Sequence, residues 1–141
     1  MYNNILLPID LVNAQTQEKA AATAADLAEH YGARLHVMTV VPDFGAAIVG
    51  SYFPEDFERN ALKDTRRELQ AYVRSAFPDM DVGIIVTHGS IYREIIHHAE
   101  QTGSELIIMA SHRPAMRDFL LGPNAVEVIT HAAQSVMVVR A

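Results

Sequence analysis

Asp10 and a set of seven histidines are the residues whose types first suggest chemistry. Asp10 directly follows the short apolar run NILLPI, and its carboxylate is a hard oxygen ligand for a cation. The histidines are poorly spaced for a metal, because His97 and His98 are adjacent and would point about 100° apart on a helix. No two histidines stand four residues apart with a carboxylate partner. We therefore expect no dedicated transition-metal site.

Motifs of common catalytic sites are missing from the sequence. It has no nucleophile elbow, no Walker loop and no evident pairing of a base with a residue that orients it. Because there is no cysteine, thiol catalysis, disulfides and zinc–thiolate sites are excluded. We assign no catalytic residue.

Apolar runs alternate with helical periods, and together they predict the elements that position Asp10. Strands are predicted at residues 4–10, 34–41, 82–86, 106–110 and 135–140, and helices at 14–31, 55–77, from Ser90 onward and at 123–133. This alternation implies right-handed crossovers and a parallel sheet with helices on both faces. We predict a single α/β domain over residues 1–141, a doubly wound, Rossmann-like five-stranded sheet in the order 3-2-1-4-5.

Ligands of such sheets bind at the carboxyl ends of the strands, where the strand order reverses. Three segments lie at those ends: Pro8 to Asp10, the stretch around Val40, and Met109 to Asn124. The pattern alone therefore predicts a binding site without naming its ligand.

Several segments occur in an order and spacing that are typical of one family. They are NNILLPID at 3–10, His88-Gly89 followed by Ile95-Ile96, LIIMASHRP at 106–114, LLG at 120–122, His131-Ala132 and VMVVR at 136–140. Along nearly its whole length the chain thus resembles the universal stress protein family. Arg113-Pro114 and Asn124 make it most similar to the ATP-binding members of the F and G types.

The phosphate loop of ATP-binding members has the form G-x2-G-x9-G followed by Ser or Thr. Its positions fall here on Ala110, Arg113, Gly122 and Pro123, so that only Gly122 keeps the family residue. Pro123 has neither a hydroxyl nor an N–H, but proline suits the first turn of a helix, whose N-terminus can still stand behind Gly122. The guanidinium of Arg113 offers a forked, charged donor in place of the lost backbone contacts.

The resemblance implies a role for each residue of the site. Asp10 would lie near the ribose or the phosphates and bind ATP-bound Mg²⁺, Val40 would contact adenine through its backbone, and Pro8 and Met109 would flank the base. The remaining residues would line the phosphate side or complete the site: Ile9, Ala110, His112, Arg113, Gly122, Pro123, Asn124 and Ala125. The structural alternatives are that Asp10 caps the turn after the first strand and that Val40 and Met109 belong to the core.

The implied function is regulation in a stress response, through protein contacts that depend on bound ATP. Two alternatives stay open: a nucleotide-free stress protein that acts only through protein–protein contacts, and a slow ATPase. The incomplete glycine loop favours the first, and Asp10 beside a metal-bearing phosphate would permit the second. We expect no enzyme activity beyond slow hydrolysis.

Composition limits the partners. The formal net charge of −6 argues against broad binding to nucleic acid, which needs a basic surface. Apolar runs stay below the roughly 18 residues that a membrane span needs, so we expect no membrane insertion. The absence of cysteine agrees with a cytoplasmic location.

The last predicted strand carries the run Val136 to Val139, without charge or proline. In the predicted order this strand lies at the edge of the sheet, where its free N–H and C=O groups invite pairing. We therefore predict a homodimer through the C-terminal strand, formed by two-fold symmetry.

Overall fold

Strands and helices alternate along the residues that the computed structural model describes, which are 1–42, 55–111 and 122–141. The strands are β1 (Asn4–Pro8), β2 (Arg34–Pro42), β3 (Gly83–Gly89), β4 (Leu106–Ser111) and β5 (Ser135–Arg140). The helices are α1 (Glu18–Tyr31), α2 (Glu55–Ala76), α3 (Ile91–Gln101) and α4 (Gly122–His131). A 3₁₀ segment, Leu11–Gln17, precedes α1.

The strands form one parallel sheet in the order β3-β2-β1-β4-β5, which confirms the predicted fold. The order reverses between β1 and β4, because the chain builds outward from β1 to β3 and then returns to the other side of β1. β3 extends beyond its predicted end at Val86, since Thr87, His88 and Gly89 still have partners in the long strand β2. The two central strands are buried on both faces, which explains their continuous apolar runs.

The core consists of two apolar clusters, one on each face of the sheet. Ile5 and Leu7 of β1 point into the cluster that α1 and α2 cover, whereas Leu6 points into the cluster that α3 and α4 cover. Alanines form the buried stripe of α1: Ala20, Ala21, Ala24 and Ala28. Their small side chains let the helix lie close to the sheet.

The start and the end of α1 have different local causes. The helix ends at Gly32, which adopts a left-handed φ of 62°, and the N–H of Ala33 donates to Ala28 O at 2.8 Å. The predicted start at residue 14 is wrong, because the chain first forms the 3₁₀ segment with a kink at Asn13 (φ −117°, ψ 37°). The α-helix proper begins at Glu18.

Ser90 occupies the N-cap position of α3, as predicted, but its hydroxyl makes no capping hydrogen bond. Its carbonyl accepts the N–H of Glu94 at 2.9 Å, the first backbone bond of the helix. Within the described ranges, no helix combines the length and the apolar character that crossing a membrane requires.

Candidate functional site

A cavity of about 480 Å³ lies at the carboxyl ends of β1, β2 and β4. It is adjacent to the point where the strand order reverses, the place at which doubly wound sheets bind ligands. The first turn of α4, the 3₁₀ segment, α2 and α3 also contribute residues to its walls. Its volume lies within the roughly 300–1,000 Å³ that small-molecule sites occupy.

Asp10 stands in a tight turn at this cavity, directly after β1. It caps the 3₁₀ segment, because its Oδ1 accepts the N–H of Val12 at 3.1 Å. Its Oδ2 accepts a bond from the side-chain amide of Asn13 at 2.8 Å. Asp10 therefore caps the turn after β1, as the structural alternative has it. Since a carboxylate has about four acceptor positions, these two bonds leave capacity for a ligand.

Two buried polar side chains hold the backbone of this turn. Thr39 of β2 donates its hydroxyl to Ile9 O at 2.8 Å. Gln17 accepts the N–H of Asp10 at 2.9 Å and donates to Asp10 O at 2.8 Å. Only 5% of Thr39 and 6% of Gln17 are exposed. The chain leaves the sheet after Pro8, and these side chains take over the hydrogen bonds that strands would otherwise provide.

The charge of the cavity lining is negative in the part that the structure describes. It contains the carboxylates of Asp10 and Glu68, and no lysine or arginine is among these lining residues. Positive electrostatic potential comes from the N-terminus of α4, where Pro123, Asn124 and Ala125 line the cavity. Among the described lining residues, an anion would thus meet the positive end of the α4 dipole on one side of the cavity and two carboxylates on the other.

The family follows from comparison with known proteins. The sequence pattern described as "Universal stress protein family" matches residues 1–140. The chain belongs to this family. Universal stress protein G of Escherichia coli O157:H7 is 33% identical over 147 aligned residues, which cover 99% of this chain and 100% of that protein. Universal stress protein G of Salmonella typhimurium is 30% identical with the same coverage.

Solved structures share the fold of this universal stress protein. The hypothetical protein MJ0577 has a TM-score of 0.81 and 25% identity, with 100% of this chain and 97% of that chain covered. A universal stress protein in complex with cAMP has a TM-score of 0.67 at 15% identity, covering 98% and 97% of the two chains. The universal stress protein from Archaeoglobus fulgidus in complex with dAMP has a TM-score of 0.64 at 18% identity, covering 97% of each. Structural neighbours thus bind adenine nucleotides.

Most of the predicted site residues lie together around the cavity. Those that line it are Pro8, Ile9, Asp10, Val40, Met109, Ala110, Pro123, Asn124 and Ala125. Helix α4 begins at Gly122, directly before Pro123, which confirms the predicted helix start near residue 123. His112 and Arg113 lie outside the described residues.

Several lining residues were missed by the sequence analysis. They are Leu11, Val12, Thr16, Gln17, Thr39, Val41, Thr65, Glu68, Ile91 and Ile95. Thr39 could have been singled out from the sequence, because a hydroxyl in a strand that is buried on both faces must find a hydrogen-bond partner. Gln17 had none, since a glutamine between Thr16 and Glu18 in a helical pattern is typical of an exposed position.

The histidines of the described residues are not arranged around an ion. No group of three or more His, Asp or Glu side chains in this part of the chain is placed to hold a metal. His98 lies with its Nε2 3.9 Å from Oε1 of Glu94. Its pKa is lowered, mainly because burial disfavours the imidazolium and further because of His97, although Glu94 acts in the opposite direction.

Proposed function

We propose that this universal stress protein binds adenine nucleotide in the strand-end cavity, with ATP preferred over AMP. The bound nucleotide would regulate its contacts with other proteins in a stress response. The observation that carries the proposal is the position of the cavity, between the Asp10 carboxylate and the N-terminus of α4. The complexes of structural neighbours with cAMP and dAMP support the same ligand class.

The backbone of Val40 suits the edge of an adenine base. The N–H of Ile9 donates to Met38 O at 2.7 Å, so Met38 presents its backbone groups toward β1. Because backbone groups alternate sides along a strand, Val40 presents its N–H and C=O to the same side. There β1 has already ended at Pro8. This donor and acceptor complement the acceptor N1 and the donor N6 amino group of adenine.

Asp10 suits a magnesium ion that arrives with the nucleotide. Mg²⁺ is usually held by one or two carboxylates together with substrate phosphates, rather than by a cage of protein ligands. The exposed Asp10 carboxylate provides such a ligand. When bound, Mg²⁺ would neutralise phosphate charge beside Asp10 and Glu68, both of which line the cavity. We therefore expect ATP binding to depend on Mg²⁺, and adenosine binding to be independent of it.

Calorimetric titration at near-physiological salt tests this proposal. We expect heat of binding for ATP with Mg²⁺, a weaker signal for AMP, and weaker ATP binding in EDTA. Ala110→Leu, which places a larger side chain in the cavity wall, should lower ATP affinity at least about tenfold, or 1.4 kcal/mol. The exposed Ala133→Leu is the matched control and should bind ATP as the wild type does.

The alternative is a stress protein that has no nucleotide and acts through protein contacts alone. It is favoured by Ala110 and Pro123, which stand where ATP-binding members have glycine and a hydroxyl residue. No heat with ATP in the presence of Mg²⁺, together with no nucleotide in the purified protein, would establish this alternative and refute ATP binding.

We also propose a homodimer in which β5 pairs with β5 of a second copy. The N–H groups of Ser135 and Ala141 donate toward β4, to Glu105 O at 3.2 Å and Ser111 O at 3.1 Å. By alternation, Val136 and Val138 present their backbone groups to the free edge. β5 lies at the end of the strand order, and its interior has no charge to discourage pairing.

The absence of cysteine supports a cytoplasmic site of action.

A further inference from the structure

The carboxamide of Gln17 forms a closed hydrogen-bonded ring with the backbone of Asp10. Its Oε1 accepts the Asp10 N–H at 2.9 Å, and its Nε2 donates to Asp10 O at 2.8 Å and to Asn13 O at 3.3 Å. The Gln17 carboxamide therefore forms with Asp10 the two backbone hydrogen bonds that a neighbouring strand would form. Only 6% of Gln17 is exposed, so loss of the carboxamide would leave the Asp10 backbone groups without these partners.

This ring restricts the residue that bears the carboxylate. With its N–H and C=O both engaged, Asp10 is held at φ −96° and ψ 103°. From this backbone, its two carboxylate oxygens reach the N–H of Val12 and the side-chain amide of Asn13. The backbone that carries the carboxylate is thus held by a buried side chain seven residues later in the chain.

We infer that Gln17 is a positioning residue for Asp10, which sets the carboxylate in the orientation that the ribose or the Mg²⁺-bearing phosphates meet. This role rests on the proposed function. Gln17 would act on the part of the ligand that reaches Asp10 and not on the adenine base. A carboxylate that is already oriented costs less conformational freedom on binding than a mobile one.

The variant Gln17→Met tests this role, because methionine keeps the unbranched length and removes the donor and the acceptor. Removal of a residue that orients a ligand group typically costs 10- to 100-fold, and we expect about a tenfold loss of affinity for ATP with Mg²⁺. Affinity for free adenine should change less than about twofold, since adenine does not reach Asp10. Gln15→Met, the same change at an exposed position of the same segment, should leave both affinities unchanged.

A double-mutant cycle separates positioning from general structural support. In an Asp10→Ala background, Gln17→Met should cause no further loss of ATP affinity, because the carboxylate that it orients is gone. Additive losses, or equal losses for ATP and adenine, would overturn the inference. If Gln17→Met does not fold, Gln17→Glu, which keeps the acceptor for the Asp10 N–H, replaces it in the same cycle.

Amide hydrogen exchange of Val12 gives a readout that needs no nucleotide. The Val12 N–H is bound to Oδ1 of Asp10, so its exchange should accelerate in Gln17→Met and stay unchanged in Gln15→Met. Unchanged exchange in Gln17→Met would overturn the inference even if ATP binds. If the wild type binds no ATP but the exchange accelerates, the proposed function fails while the control of Asp10 by Gln17 stands.

Discussion

Replacing Thr39 by valine should destabilise the protein through a single hydrogen bond beneath the cavity. The Thr39 hydroxyl donates to Ile9 O at 2.8 Å, and Thr39 is only 5% exposed. Valine has nearly the same shape but no donor, so Ile9 O loses this partner. The perturbation therefore removes the bond without creating a large void.

The expected cost is about 1 kcal/mol in the free energy of unfolding. A buried acceptor that loses its partner costs about 1–3 kcal/mol. The value should lie near the lower end, because Thr39 lines the cavity, from which water can reach Ile9 O. The methyl group that replaces the hydroxyl recovers part of the lost stability, since burying one carbon contributes at most about 0.8 kcal/mol. For a chain of this length the melting temperature should fall by about 3–4 °C.

Urea unfolding of the wild type and the variant measures this cost, provided that the slope with urea concentration is unchanged. The matched control is Thr130→Val on α4, where an exposed hydroxyl donates to Val126 O, also at 2.8 Å. Because this acceptor lies in a helix at the surface, the control should stay within about 0.5 kcal/mol of the wild type. A Thr39→Val protein as stable as the control would refute the assigned role of the Thr39 bond.

Three further predictions concern the edge strand, a half-buried histidine and the phosphate loop. Val138→Pro removes a backbone donor from the free edge and should convert the proposed dimer to monomer in light scattering; a wild type that is already monomeric at tens of micromolar contradicts the dimer. In the folded protein, burial and then the charge of Arg34 lower the pKa of His36, so the unfolded chain binds a proton at His36 more readily. The wild type should accordingly lose more stability than His36→Gln as the pH falls below about 6.5, and parallel unfolding curves at each pH would show that His36 has no such effect. Pro123→Ser should tighten ATP binding roughly three- to tenfold in calorimetry by restoring a hydroxyl donor, whereas weaker binding would mean that the family loop does not apply at this position.

The sheet could be predicted because its signals are local. The runs around Leu6 and Ile107 are apolar without interruption, which is typical of strands buried on both faces. The alternation of strands and helices then leaves few topologies. Asp10 could be recognised as a candidate for the same reason, since it is the first charged residue after a buried strand.

The support of Asp10 could not be predicted, because it depends on tertiary contacts. Gln17 bonds the Asp10 backbone from a 3₁₀ segment, and no local pattern marks its position. Thr39 bonds Ile9 O from the neighbouring strand, and its pattern shows only that its hydroxyl needs a partner, not which one. The 3₁₀ segment itself replaces a helix start that the period of residues 14–31 had predicted. Thr65 and Glu68 reach the cavity from α2 only because that helix packs beside β2.

Nuclear magnetic resonance titration of the labelled wild type with ATP and Mg²⁺ tests the central claim most directly, since it reports both binding and its location. We predict saturable shifts of backbone amides around the strand-end cavity: Ile9, Asp10, Val40, Met109, Ala110 and Asn124. Amides near the other end of β2, at His36 and its partner Gly83, should not shift. The absence of saturable shifts, or saturable shifts confined to residues away from the cavity, would contradict nucleotide binding at this site.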